Sequence, residues 1–133
     1  DIVVAMGVLW EDQVIYIYHS TPGSQVSQAL AGFRMLPAWQ SVIGMSLLAA
    51  EADADLQARL SAEQWEHLQP HLAQQRQSGH VVWRHDDGEI SMATPLGSHN
   101  AALAFAGMWD IPDSQVNDRL GELQALCTRL ANS

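Results

Sequence analysis

The segment from Pro37 to Ala50 carries no charged side chain, and this feature constrains the fold of the chain more than any other. Such a composition is typical of a buried helix, and Pro37 suits the first turn of one. Gly44 costs a helix up to about 1 kcal/mol relative to alanine. A glycine at this position indicates that another backbone or a ligand approaches closely. The sequence therefore predicts a buried helix over Ala38–Ala50.

Five β-prone runs accompany this helix. The first two form a hairpin in which Glu11-Asp12-Gln13 supplies the turn. Asp86-Asp87-Gly88 is a second hairpin signal. The last run is rich in alanine, which allows a helix or a ligand to lie directly on the sheet. The five runs are Ile2–Leu9, Val14–Tyr18, His80–Arg84, Glu89–Leu96 and Ala101–Trp109.

Three further helices are predicted downstream of Ala50. The first, Asp53–Leu60, is short and charged. Ser61-Ala62-Glu63-Gln64 matches a capping box for a longer helix, with Gly79 just past its end. Pro70 removes a backbone hydrogen bond, so two shorter helices are an alternative. The final helix opens near Pro112, and its apolar stripe consists of Val116, Leu120, Leu123, Cys127 and Leu130.

The mixed order of five strands and three or four helices predicts one α+β domain over residues 1–133, with a largely antiparallel sheet. Thr21–Ser24 and Gly97–Asn100 are predicted to be turns. Gln25–Met35 has no pattern that assigns it to an element.

The charge of the chain argues against independent binding to a nucleic acid or an anionic membrane. Six arginines, no lysine and fifteen acidic residues give a formal charge of −9, which repels phosphates at long range. No run approaches the roughly 18 consecutive apolar residues of a membrane-spanning helix. The single Cys127 lies on an apolar stripe and cannot form an internal disulfide. These properties favour a cytoplasmic protein whose partner is neutral, small or another protein.

Two groups of histidines are candidates for chemistry. His67 and His71 are four residues apart on a predicted helix, a spacing that two zinc ligands use. No glutamate directly follows His67 and no third ligand has a fixed spacing, so a solvent-exposed helix face explains the pair equally well. His80, His85 and His99 could meet near the second hairpin, but we interpret them as surface residues of strands and turns.

No residue pattern predicts catalysis. The acidic residues around Asp87 and Asp53 are explained by turn formation and by favourable charge at a helix start. Cys127 lies on a core stripe, and no serine has the setting of an activated nucleophile. The sequence therefore predicts a protein that is not an enzyme and that uses no metal or cofactor. A cofactor-free enzyme, the remaining alternative, would depend on Ser91, His85 or Asp86.

Tryptophan is unusually frequent, and its large ring often lies at pockets or interfaces. Trp39 is at the start of the helix that contains Gly44, and Trp83 is at the end of a strand, so these two are the pocket candidates. Trp65 fits ordinary helix packing. The five tryptophans are Trp10, Trp39, Trp65, Trp83 and Trp109.

Leu36–Ala49 resembles a segment of the IclR-type (isocitrate lyase regulator) bacterial transcription factors that reads Leu-Pro-x-His-x-Thr-x-x-Gly-Lys-x-Leu-Leu-Ala. Later landmarks follow in the same order: a helix ending at Gly79, the run Ile90–Leu96 and the small-residue run Ala101–Gly107. The resemblance extends from about Gly7 to Ala131.

This resemblance implies a GAF/profilin-like effector-binding domain, in which a curved antiparallel sheet is flanked by helices. Such a domain binds a small metabolite and controls a separate N-terminal winged helix-turn-helix domain that contacts DNA. We therefore expect an N-terminally truncated chain without that DNA-binding domain, and a homodimer or homotetramer.

The resemblance also implies ligand-binding positions. Trp39 and Met45 replace the histidine and lysine of the family, and Ser91 is the polar group kept at the later strand positions. A buried carboxylate without donors is penalised, which favours an apolar or aromatic effector. The alternative is a ligand-free oligomerisation module whose pocket is filled by its own side chains. The ligand positions carried over are Trp39, Val42, Ile43, Trp83, Ser91, Ala104 and Ala106.

Overall fold

A computed structural model describes residues 2–21, 23, 34–97 and 100–132 of the chain. Its centre is a six-stranded sheet in the order β3-β2-β1-β6-β5-β4, with every neighbouring pair antiparallel. The predicted α+β class with an antiparallel sheet is confirmed. The strands are β1 (Val3–Trp10), β2 (Gln13–Ser20), β3 (Arg34–Pro37), β4 (Val81–Arg84), β5 (Glu89–Pro95) and β6 (Ala101–Trp109).

Helices cover both faces of the sheet. Helix α1 packs on β5, β6 and β1, and α3 packs on α1 and β4. Helix α4 packs on the opposite face of β5 and β6, so the sheet separates two apolar clusters. None of the helices in the described part of the chain is long and apolar enough to cross a bilayer. The helices are α1 (Val42–Leu48), α2 (Asp53–Arg59), α3 (Ala62–Ser78) and α4 (Asp113–Ala131), and a 3-10 helix spans Ala38–Gln40.

The predicted single helix over Ala38–Ala50 is wrong in its boundaries. The 3-10 helix comes first, and α1 begins only after Ser41, whose backbone is extended. The Ser41 hydroxyl accepts a hydrogen bond from the Gly44 amide at 3.3 Å and lies 2.8 Å from the Tyr16 hydroxyl. A serine that caps a helix needs extended backbone, so it separates the two helical pieces.

The predicted count of five strands is also wrong, because β3 adds a sixth strand. It pairs with β2, with Met35 opposite Ile15, and three of its four residues are exposed at the edge of the sheet. An exposed edge strand has no alternating burial pattern, which removes the periodic signal for it. Residues 22, 24–33 and 98–99 lie outside the described residues, and they include half of each predicted turn at Thr21–Ser24 and Gly97–Asn100.

Helix α3 confirms the predicted caps. Ser61 and Gln64 form both bonds of the capping box, and Gly79 ends the helix in a left-handed conformation with a φ of 81°. The alternative of two shorter helices is wrong, since α3 continues through Pro70 for 17 residues. This continuity places His67 and His71, one turn apart, beside β4.

Candidate functional site

A cleft of about 480 Å³ lies between α3 and the end of β4. Helix α3 supplies one wall, and β4 with the following turn supplies the other. Helix α3 packs on β4 and buries Leu68 and Leu72, and neighbouring positions of the helix border the cleft. The lining residues are Glu66, His67, Pro70, His71, Trp83, Arg84, His85 and Asp86.

The ring of Trp83 is the centre of this cleft. His85 stacks on it, with ring centroids 3.9 Å apart and an interplanar angle of 26°. His67 meets Trp83 edge-on at 5.2 Å, and His71 lies tilted at 5.6 Å. Stacked and edge-to-face rings at these separations attract one another beyond simple burial of area. The cleft is therefore an aromatic site that also carries imidazole nitrogen atoms.

Trp39 extends the ring cluster toward the core. Its ring meets His67 edge-on, with centroids 5.7 Å apart, and so connects the 3-10 helix to α3. It packs against the cluster of buried residues beneath α1. The rings of Trp39, His67 and Trp83 thus form a continuous aromatic surface from the core to the cleft.

Ser91 lies on β5, next to two residues that line the cleft. It pairs directly with Trp83 across β4 and β5, and its hydroxyl lies 3.0 Å from Nε2 of His85. It also lies at an irregularity in the pairing of β5 with β6, a feature often found next to functional sites. The tautomer of His85 decides which of the two atoms donates the proton.

The Ser91–His85 pair has the spacing of a nucleophile and its base, but it lacks the third group of a triad. No carboxylate of the described residues hydrogen-bonds the ring of His85, whose partner is Ser91. The Ser91 side chain is also buried. The pair is therefore arranged to hold the His85 ring against Trp83.

The structure brings three of the predicted ligand positions together: Trp39, Trp83 and Ser91. Of these three, Trp83 lines the cleft, whereas Trp39 meets the ring of His67 and Ser91 lies within hydrogen-bond distance of His85. The other four are not among the lining residues. Val42, Ile43 and Ala104 are buried in the core between α1 and the sheet. Ala106 is half-buried on β6, opposite the irregularity at Ser91.

The sequence prediction missed the imidazoles as part of this site. The solvent-exposed interpretation of His67 and His71 is wrong, because both rings are half-buried and their centroids are 5.5 Å apart. No group of three metal-ligating side chains is found within the described residues, so the zinc interpretation gains no third ligand. His85 belongs to the cleft and His80 does not, while His99 is outside the described residues.

The charge state of His71 depends on these surroundings. Burial lowers the pKa of His71 below its usual value of 6.5, and the nearby His67 and His85 lower it further. Both effects act on the protonated ring, since burial removes its hydration and the neighbouring imidazoles repel it when charged. The neutral form of the His71 ring is therefore favoured over the protonated form in the free cleft.

We expect His71 to make the ligand-free domain less stable as the pH falls. With its pKa lowered on folding, the folded state binds fewer protons than the unfolded state. The stabilisation that results from the lowered pKa is present above pH 6.5, the pKa of His71 in the unfolded state. It is lost as the pH falls through the lower pKa of the folded state. Denaturant unfolding measures the free energy of unfolding at about pH 7.5 and about pH 5.5. Its decrease between these pH values should be smaller for His71→Gln than for the wild type. Equal losses would contradict the prediction.

A sheet with helices on both faces and an aromatic cleft at one edge defines the class of a small effector-binding domain. The family model described as bacterial transcriptional regulator IclR, C-terminal, matches residues 1–84. The chain belongs to this family, and it is an IclR C-terminal effector-binding domain. The resemblance found in the sequence is thereby confirmed. No curated protein sequence matches the chain.

Several solved structures share this fold. The repressor BlcR of Agobacterium tumefaciens has a TM-score of 0.76 at 18% identity, covering 98% of this chain and 58% of its own. An IclR homologue from Microbacterium hydrocarbonoxydans, complexed with 4-hydroxybenzoate, has a TM-score of 0.74 at 19% identity, covering 95% and 57%. For Thermotoga maritima IclR the TM-score is 0.74 at 13% identity, covering 98% and 60%. The chain therefore spans less than two thirds of each of these regulators.

Proposed function

We propose that this domain senses a small aromatic molecule bound in the cleft between α3 and β4. The observation that carries the proposal is the cluster of two indole and three imidazole rings around Trp83. A preformed concave site with aromatic walls and a few polar groups is typical of ligand pockets. The 4-hydroxybenzoate complex of the Microbacterium homologue supports an aromatic ligand.

In this proposal Trp83 contacts a flat face or an edge of the ligand, and Trp39 supports the His67 ring from the core side. Ser91 fixes His85 as a hydrogen-bonding group. Val42, Ile43 and Ala104 support the site from the core beneath it, and Ala106 lies behind Ser91. The buried α1 is then the element that would transmit occupancy of the cleft to the rest of the domain.

The regulatory half of the proposal concerns a separate DNA-binding domain. With a charge of −9, residues 1–133 are unsuited to contact DNA themselves, so a winged helix-turn-helix elsewhere in a cytoplasmic regulator would do so. A ligand that prefers one arrangement of a homodimer or homotetramer shifts the DNA affinity of the whole assembly. Catalysis has no part in this function.

A thermal-shift screen tests ligand sensing. Benzoate, 4-hydroxybenzoate, phenylacetate and their amides should raise the melting temperature in a concentration-dependent way. A ligand at roughly a hundredfold excess over its Kd stabilises the folded state by about 2.7 kcal/mol. Acetate and pyruvate, which have no ring, are the controls and should produce no shift. Equal shifts with ringless and aromatic compounds would contradict an aromatic site.

A ligand-free oligomerisation module is the second candidate, and exposed apolar side chains favour it. Ile17, Met35 and Leu36 are 42%, 38% and 41% exposed on β2 and β3. Sedimentation of the wild type and of Met35→Glu measures whether these strands join copies of the chain. Association without any thermal shift from the aromatic panel would favour this candidate over ligand sensing.

A further inference from the structure

We propose that His71 makes the cleft discriminate between anionic and neutral aromatic ligands, by taking up a proton when an anionic ligand binds. The inference rests on the proposed function, because it concerns a ligand of the same cleft. One side chain would then determine both the preference for an anionic ligand and the dependence of its affinity on pH.

The position of His71 suits this role. Its ring is half-buried in the wall of the cleft, 5.5 Å from the His67 ring and 5.6 Å from the Trp83 ring. A flat ligand placed beside Trp83 therefore has imidazole nitrogen atoms at its edge. A carboxylate on that edge would find N–H donors there, which the sequence alone did not show at this site.

Other charged groups border the cleft and set its electrostatics. Glu66 comes from α3, Arg84 from β4, and Asp86 from the turn after β4. Arg84 is ion-paired with Asp113 of α4 at 3.0 Å, so its charge is already partly compensated. Two acidic residues and one shared arginine leave little net positive charge for a bound carboxylate, and a protonated imidazole would add to it.

Binding of an anion reverses the balance that keeps His71 neutral. In the free cleft, burial opposes its protonation, and so do the neighbouring imidazoles of His67 and His85. A carboxylate at hydrogen-bond distance attracts the protonated ring and raises its proton affinity. A proton from solvent then joins the free ring nitrogen, and no covalent bond breaks. A neutral amide of the same shape gives no such attraction, so its binding takes up no proton.

Proton linkage predicts the pH profile. If one proton is taken up, affinity for the anion increases at most about tenfold for each pH unit lowered. The increase is confined to pH values between the His71 pKa of the free protein and that of the complex. Below that range the ring is already charged, and above it the complex no longer binds the proton.

Isothermal titration of the 133-residue chain with 4-hydroxybenzoate and 4-hydroxybenzamide tests the inference. Titrations at about pH 7.5, 6.5 and 5.5, in buffers with different ionisation enthalpies, count the protons taken up. We expect the acid to bind with proton uptake and about three- to tenfold more tightly per unit of pH lowered. The amide should bind with no uptake and no increase in affinity as the pH falls.

Two variants separate His71 from the other histidines. His71→Gln should abolish the proton uptake and the pH-dependent preference for the acid over the amide. His80→Gln is the matched control, since burial also lowers the pKa of His80 but this residue does not line the cleft. It should retain the uptake of the wild type.

The possible outcomes distinguish the two proposals. Uptake that persists in His71→Gln, or acid and amide affinities with the same pH profile, would overturn the role of His71 and leave aromatic sensing intact. Binding of the amide without binding of the acid would also overturn the role of His71 and leave aromatic sensing intact. If neither probe binds at millimolar concentration, both the aromatic sensor and the role of His71 are refuted.

Discussion

Gly44→Ala is expected to unfold the domain, or to lower its free energy of unfolding by about 3 kcal/mol or more. A Cβ at position 44 would overlap the carbonyl oxygen of Ala38 and lie 2.6 Å from the Ala38 Cα. These are backbone atoms, so a side-chain rotation cannot relieve the overlap. The Ala38 amide is also hydrogen-bonded to the carbonyl of Asp12 at 2.8 Å, which holds the 3-10 helix in place.

Gly121→Ala is the matched control, a second glycine-to-alanine change inside a helix. Apart from the backbone of its own helix, no heavy atom of the described residues lies within 4 Å of a Cβ at that position. This variant should gain about 0.5–1 kcal/mol, because glycine weakens a helix interior. Denaturant unfolding followed by circular dichroism measures both changes. A Gly44→Ala variant as stable as the wild type would contradict the close packing of α1 against Ala38.

Local signals predicted the parts of the fold that depend on local hydrogen bonds. The capping box at Ser61 and the left-handed glycine at Gly79 each satisfy backbone groups within a few residues, so their sequence patterns are sufficient. The sequence also predicted that another group approaches the backbone closely at Gly44. Its partner, the backbone of Ala38, depends on how the chain bends at Ser41.

The missing strand and the divided helix depend on contacts that are distant in sequence. Strand β3 exists because it pairs with β2, and its own exposed residues carry no β-period. The separation of the 3-10 helix from α1 depends on Ser41, whose hydroxyl is also placed by Tyr16 on β2. Neither contact has a signature within the segment itself.

The candidate site could be predicted only in part. The resemblance indicated Trp39, Trp83 and Ser91, because the family pattern fixes their order along the chain. The spacing of His67 and His71 showed that they share a helix face but did not show what that face meets. Trp83 lies on β4 and meets that helix face from there. Side chains alternate between the two sides of an extended chain, so His85, two residues after Trp83, lies on the same side and stacks on its ring.

Trp83→Leu is expected to weaken binding of 4-hydroxybenzoate by about tenfold to a hundredfold, provided that the cleft is the sensing site. The ring of Trp83 contacts three imidazoles, so its loss removes both a stacking surface and the support that orients His85. Leucine keeps apolar contact but cannot stack, and stacking of a flat ring on an aromatic side chain contributes about 1–3 kcal/mol, which corresponds to roughly this range of affinity. Isothermal titration gives the Kd of each variant.

Trp10→Leu controls for the general effect of losing an indole ring. Trp10 ends β1, is 55% exposed and does not line the cleft, so its variant should bind the probe as the wild type does. Circular dichroism and the melting temperature show whether each variant is folded, which separates a lost ligand contact from a lost fold. Wild-type affinity in a folded Trp83→Leu variant would place the aromatic ligand outside the cleft between α3 and β4. A loss confined to Trp83→Leu would assign its binding to this ring.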